Sequence, residues 1–239
     1  MEFTRTWTGN WENAFHGLRH PLESYAKGDT KWYPDTMENE HLCGNQAIEV
    51  NPTNATFLGI GPNDMDLAQR MIKAGTPNDK FLRQIFVSVD ITAPLYWWKE
   101  MDTYKVGTTA NSTSTMHKLA STPITMDCFE MDDFDETTKV FDCEPYNPDV
   151  YIKECWEHII EICEYLRQRF NETKDKKYWK ELIRILPESW LQTRTFTCNY
   201  AVLRNIIHWR VGHKLTEWAQ FIEWCRTLPY AEDLLFYCQ

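Results

Sequence analysis

The sequence predicts an α+β fold in which a small sheet is backed by helices, and three observations carry that prediction. One strand pattern is unambiguous, LRQIFVSVDITAP (82–94), where Ile85, Val87, Val89 and Ile91 alternate with Gln84, Phe86, Ser88 and Asp90. Amphipathic helical patterns dominate the chain after residue 150. The composition, 43% hydrophobic and 14% aromatic over 239 residues with eleven Trp, suffices for a sizeable core.

Residues 1–60 are rich in Trp, Gly, Pro, Asn and charge, and read as an irregular N-terminal segment packed on a single domain of residues 61–239. Within it, NAFHGLRHPLESYAKGD (13–29) reads as a short helix and a solvated connection carrying Arg19, His20 and Ser24. GPNDMDLAQRMIKAG (61–75) is a helix with Asn63 as its expected cap and Gly75 as its stop. Leu67, Ala68, Met71 and Ile72 form its apolar stripe. After the strand comes YKVGTTANSTSTMHKL (104–119), which by composition alone is a hydroxyl-rich linker. DCFEMDDFDETTKVFDCEPYNPD (127–149) reads as an acidic, solvated connection; it has no glycine, so it is not a calcium loop. The helix over 151–170 is expected to bury Ile152, Cys155, Trp156, Ile159, Cys163, Leu166 and Phe170. A polar turn and a shorter helix ending near Pro187 come next, then helices over about 200–211 and 214–227 joined at Gly212.

A formal net charge of −10 argues against a nucleic-acid polymer or an anionic membrane as the main partner. A small anionic ligand fits, since a few local cations suffice to hold a phosphate. None of the eight cysteines (Cys43, Cys128, Cys143, Cys155, Cys163, Cys198, Cys225, Cys238) forms a C-x-x-C pair, so zinc-ribbon and thioredoxin sites find no support. MEFTRTWTGNWENAF has no apolar targeting core, and no run of about 18 apolar residues occurs. The expectation is a cytoplasmic protein, in which the Asn54-Ala-Thr triplet carries no glycan. There is no Walker-type phosphate loop, no H-E-x-x-H and no G-x-S-x-G; Gly59-Ile60-Gly61 is a fragment of a dinucleotide fingerprint without its strand. His208 and His213 are five apart across a helix end, and no metal is expected.

The informative stretch is LPESWLQTRTFTCNYAVLRNIIHWRVGHKLTEW (186–218). Asn199 is placed to cap a helix, and Arg210, eleven residues later, is about 20° away around it. Asn205 interrupts the apolar run Leu203, Ile206, Ile207. Read from the residues alone these are a cap, a surface amide and a solvated arginine. The same residues resemble the C-terminal signature of the flavin-dependent thymidylate synthases, a Leu-Pro, then an Asn-x3-Leu-x-Asn helix ending in Leu-Arg, then a second helix. Leu186-Pro187, Asn199, Leu203, Asn205 and Arg210 match it without a gap. Upstream, Lys73-Ala-Gly75, the strand and Ala93-Pro94 keep the family order. The family's R-H-R-x2-S-x-N-E-x-S-x-R-Y motif then falls on 104–117, with Asn111 and Ser114 kept and Thr109 for its first serine. Tyr104-Lys105-Val106 stands for R-H-R, Ser112 for the glutamate, Met116 for the arginine and His117 for the tyrosine. Lys118-Leu119 resembles the pair of residues directly after the motif in some members.

That resemblance implies a small, mainly antiparallel sheet backed by helices, and a homotetramer that binds FAD and dUMP. It implies methylation of dUMP by methylenetetrahydrofolate, with NADPH and folate as co-substrates. Carried over residue by residue, it makes Arg210 the catalytic candidate that engages the pyrimidine. Asn199, Asn205 and Lys105 become cofactor-binding candidates, and Asn111, Ser112, Ser114 and Arg184 substrate-binding ones. The lost R-H-R arginines, Glu and Arg keep two alternatives open: a non-catalytic homologue binding a nucleotide or other small ligand, and a structural or interaction protein.

Overall fold

The computed structural model describes residues 1–34, 50–51, 56–114, 119–141 and 149–238. Cys43, Asn54, Met116, His117, Lys118 and Cys143 lie outside the described residues. The chain divides into two compact units, one of Met1–Ile91, Met101–Asn111 and Arg194–Gln239, the other of Thr92–Glu100 and Ser112–Thr193.

Strands β1 (Glu2–Gly9), β2 (Lys31–Pro34), β3 (Val50–Asn51) and β4 (Thr56–Gly59) precede the long strand β5 (Phe86–Pro94). β5, β6 (Thr109–Ser112) and β9 (Leu191–Asn199) join β1 in a four-stranded sheet of order β1-β5-β9-β6. β2-β4-β3 form a smaller antiparallel sheet, and β7 (Lys139–Phe141) pairs with β8 (Val150–Tyr151). The α+β class holds, with small sheets and helices. The alternation in 82–94 is realised: Ile85, Val87, Val89 and Ile91 are at most 1% exposed. On the opposite face Thr195 donates to Asp90 and Thr197 to Ser88, as hydroxyls on a solvated sheet surface do.

The first unit also holds helices α1 (Trp11–Leu18), α2 (Pro62–Ala74), α6 (Tyr200–Arg210) and α7 (Thr216–Arg226), each with buried apolar residues. Trp11 meets Tyr200 edge-on at 4.9 Å and Phe15 meets Phe81 at 5.8 Å, while Phe3 stacks on Trp224 at 5.2 Å. The N-terminal residues therefore supply a strand, a helix and core aromatics. Eight-residue elements show barely two turns of periodicity, which is why their composition reads as irregular.

Two expectations there need correction. Asn63 does not cap α2; the carboxylate of Asp29 accepts from the N–H groups of Asn63 (2.9 Å) and Asp64 (3.0 Å). Asp64 in turn accepts from the N–H groups of Asp29 (3.0 Å) and Thr30 (2.8 Å), so loop and helix start are tied reciprocally. Arg19 is not solvated either. It is 6% exposed and its guanidinium pairs with Asp64 in the first turn of α2 at 2.7 Å and donates to the Lys27 carbonyl at 3.2 Å. Gly75 ends α2 at φ +71°, as expected.

The second unit holds α3 (Leu95–Met101, whose last residue lies in the first unit), α4 (Ile152–Thr173) and α5 (Lys176–Ile185). Its core is Leu119, Ile124, Phe129, Cys163 and Leu182, flanked by Trp156, Ile159, Leu166 and Trp190. Phe129 lies inside the acidic stretch expected to be solvated, yet it is 3% exposed and meets Trp156 at 5.3 Å and Trp190 at 5.5 Å. One large apolar ring fixes this segment in spite of its charge. Of the expected α4 stripe, Cys163 is fully buried and the rest half-buried. Burial pushes the Cys163 thiol up to about 11, so it is a neutral hydrophobe at pH 7. No helix among the described residues is long and apolar enough to cross a membrane.

Glu164 ties α4 to the segment before Phe129. Its carboxylate accepts from the Arg167 guanidinium (2.5 Å), the Ile124 N–H (2.9 Å) and Gln168 (2.9 Å). The Arg167 hydrogen bond is the main cause that brings its pKa from 4.5 down to about 2. A depressed carboxyl stabilises the fold above its unfolded pKa, and that contribution is lost as pH falls from about 4.5 towards 2. Glu164→Gln is therefore expected to destabilise by about 1–3 kcal/mol at pH 7 and by much less at pH 3. Urea unfolding at both pH values checks this; an equal loss at each would contradict it.

Candidate functional site

A cleft of about 710 Å³ opens in the first unit. One wall is α6, which begins where β9 ends. Asn199 is the last residue of β9 and caps α6 from extended backbone (φ −139°, ψ 169°), its Oδ1 accepting from the Val202 N–H at 3.1 Å. The cap engages the amide oxygen, and its NH₂ remains available as a donor on the cleft wall. Asn205 and His208 continue this wall along the exposed stripe of α6, while Leu203, Ile206 and Ile207 are fully buried behind it.

The facing wall is the loop Thr103–Gly107. Gly107 sits at φ +76°, and a Cβ there would lie 3.1 Å from the Val202 methyl and 3.3 Å from the Asn199 amide nitrogen. Glycine thus lets the loop approach the α6 cap. Lys105 and Tyr104 project from the same loop onto the cleft. The third wall is the 3₁₀ segment Asn78–Gln84, with Asp79 and Arg83. The rim is closed by Cys238, whose segment is anchored by Arg204: its guanidinium donates to the carbonyls of Leu234 (2.6 Å), Leu235 (2.9 Å) and Tyr237 (3.0 Å).

Arg210 ends α6 but does not line the cleft. Its Nε donates to the Tyr104 hydroxyl at 2.8 Å, and its guanidinium lies 4.5 Å from the Trp218 ring centroid and 5.4 Å from that of Tyr104. The arginine is thereby held against two rings, one of which, Tyr104, forms the cleft wall. Chemically, the cleft offers amide donors and acceptors, a phenol and cations on an open, mixed surface. Such a set can orient a polar ring and neutralise an anion.

No protein-family model matches the sequence, and no curated protein matches it either. Similarity appears at the level of structure. The flavin-dependent thymidylate synthase ThyX from Helicobacter pylori, complexed with FAD and dUMP, is similar with a TM-score of 0.63 at 15% identity, over 99% of this chain and 98% of that one. A second structure of ThyX from Helicobacter pylori with FAD and dUMP gives 0.61 at 16% identity, over 99% and 97%. The chain has the flavin-dependent thymidylate synthase fold. A UMP/dUMP methylase, PolB from Streptomyces cacaoi bound with 5-Br dUMP, is similar at a TM-score of 0.51 and 12% identity, over 74% of this chain and 81% of that one.

On this thymidylate synthase fold the residues singled out by the signature divide. Asn199, Asn205 and Lys105 come together on one cleft. Arg210 adjoins it through Tyr104, and Asn111 is exposed on β6 of the same unit. Ser112, Ser114 and Arg184 belong to the second unit: Ser112 ends β6, Ser114 is half-buried, and Arg184 is exposed on α5 beside Glu181. The signature does not single out Tyr104, which stands there only in place of an arginine, nor Arg83, which lies in the 3₁₀ segment before β5. A cation before a strand gives no local signal of a cleft; its place emerges only from the fold.

Proposed function

We propose that the chain binds FAD and a pyrimidine deoxynucleotide, and methylates dUMP with methylenetetrahydrofolate as a homotetramer in the cytoplasm. The single observation that supports this reading is the convergence of Asn199, Asn205 and Lys105 on one cleft of a thymidylate synthase fold. The residues suit the group: two side-chain amides for a flavin ring edge, and cations for its phosphates. A bound flavin supplies hydride chemistry, with NADPH and folate as co-substrates. The chain's own part is to bind and orient: Asn199 and Asn205 address the ring, Lys105 the phosphates. Arg210 fixes the phenol of Tyr104 on the cleft wall, and Asn111, Ser112, Ser114 and Arg184 address the nucleotide.

A second reading, a non-catalytic nucleotide-binding homologue, is favoured by one observation: Arg210 is engaged with Tyr104 and Trp218. Purified protein mixed with FAD and desalted is expected to keep visible flavin absorption bands, and Asn205→Ala to retain two- to tenfold less flavin without loss of stability, since that side chain is exposed. Protein that remains colourless while dUMP still raises its melting temperature would favour the second reading.

A further inference from the structure

We infer that Arg83, a cation from the segment before β5 that the signature does not include, joins the signature residue Lys105 in a phosphate-binding site on the cleft. Three observations carry this. The chain is acidic, yet Arg83 and Lys105 both line one cleft and neither makes an ion pair among the described residues. The other arginines are engaged: Arg19 with Asp64, Arg167 with Glu164, Arg194 with Asp102, and others likewise, while Arg204 holds carbonyls and Arg210 a phenol and an indole. Among the described residues Arg83 is the exception, an exposed fork of donors on a concave wall. The carboxylate on the cleft wall, Asp79, accepts from the Thr76 hydroxyl at 3.4 Å and makes no ion pair with Arg83 or Lys105.

A guanidinium fork and an ammonium on the walls of one cleft are a donor set for a phosphate monoester or a diphosphate: the fork takes two oxygens, the ammonium neutralises the remaining charge. Two sources share that chemistry, the diphosphate of a flavin dinucleotide and the monophosphate of a deoxynucleotide. Which of them is held rests on the functional reading above; the anion site itself does not.

The test is the full chain against Arg83→Gln, Lys105→Gln and Arg83→Lys, each probed with pyrophosphate, FAD, riboflavin and dUMP by thermal shift and tryptophan quenching. Arg83→Gln is expected to melt as the parent does when unliganded, because the side chain is exposed. It should bind pyrophosphate, and one of FAD or dUMP, roughly ten- to a hundredfold more weakly, while riboflavin binding is unchanged. Arg83→Lys should recover part of the loss. Unaltered binding of every phosphate probe by Arg83→Gln, or no binding of any of them by the parent, overturns the site. If the parent takes neither FAD nor riboflavin but pyrophosphate protects it through Arg83, the flavin reading falls and the phosphate site stands. If FAD, dUMP and pyrophosphate all bind equally to parent and Arg83→Gln, the flavin reading stands and this site falls.

Discussion

Arg19→Ala is expected to destabilise the protein by about 3–5 kcal/mol, read as a lower urea midpoint with an unchanged slope. The partners are among the most buried charges of the chain, with side chains 7% and 3% exposed and 2.7 Å apart. Truncating the arginine leaves the Asp64 carboxylate in the interior with two backbone N–H groups and no counter-charge. Burial alone raises the pKa of Asp64, but hydrogen bonds from Thr30, Arg19 and Asp29 outweigh it and hold the group below its ordinary value of 3.8. The stabilisation is therefore complete above that value and is lost as pH falls through the folded pKa beneath it. Arg19→Lys keeps the charge, loses the donation to the Lys27 carbonyl, and should cost less than the alanine variant. A loss below about 1 kcal/mol for Arg19→Ala would show that the pair does not hold the 19–30 loop to α2.

This pair also marks where sequence stops being legible. Segment 82–94 could be read because each buried residue alternates with a polar one, and α4 to α7 because an apolar stripe repeats over several turns. Arg19 meets Asp64 across 45 residues, and Asp29 caps α2 across 35, so no local pattern announces either. Around the cleft the same limit applies. Asn199 was recognisable as a cap from its neighbours, but Asn205 and Lys105 only through the family signature. Tyr104 reaches Arg210 over 106 residues, and its phenol occupies a place that the signature gives to arginine. A motif scored by identity registers that exchange as a loss; only the fold shows that the new side chain binds another signature residue.

Trp218→Ala is the second large effect expected, about 3–5 kcal/mol of stability, and it reaches the site as well. The indole is fully buried and meets Phe221 at 5.7 Å, Tyr104 at 6.3 Å and His213 at 6.2 Å, so its removal leaves a void bounded by three rings. It also removes the face on which the Arg210 guanidinium rests at 4.5 Å. Trp218→Phe keeps a ring in the core and should restore much of the stability, yet a smaller π-face holds the cation less well. The two contributions separate in a double-mutant cycle of Trp218→Phe with Arg210→Ala. A coupling of about 0.5–2 kcal/mol is expected if the indole holds the guanidinium in place beside Tyr104. Additive losses would mean that Trp218 is core alone and that Arg210 is positioned by the Tyr104 hydroxyl, in which case Tyr104→Phe, and not Trp218→Phe, should weaken ligand binding in the cleft.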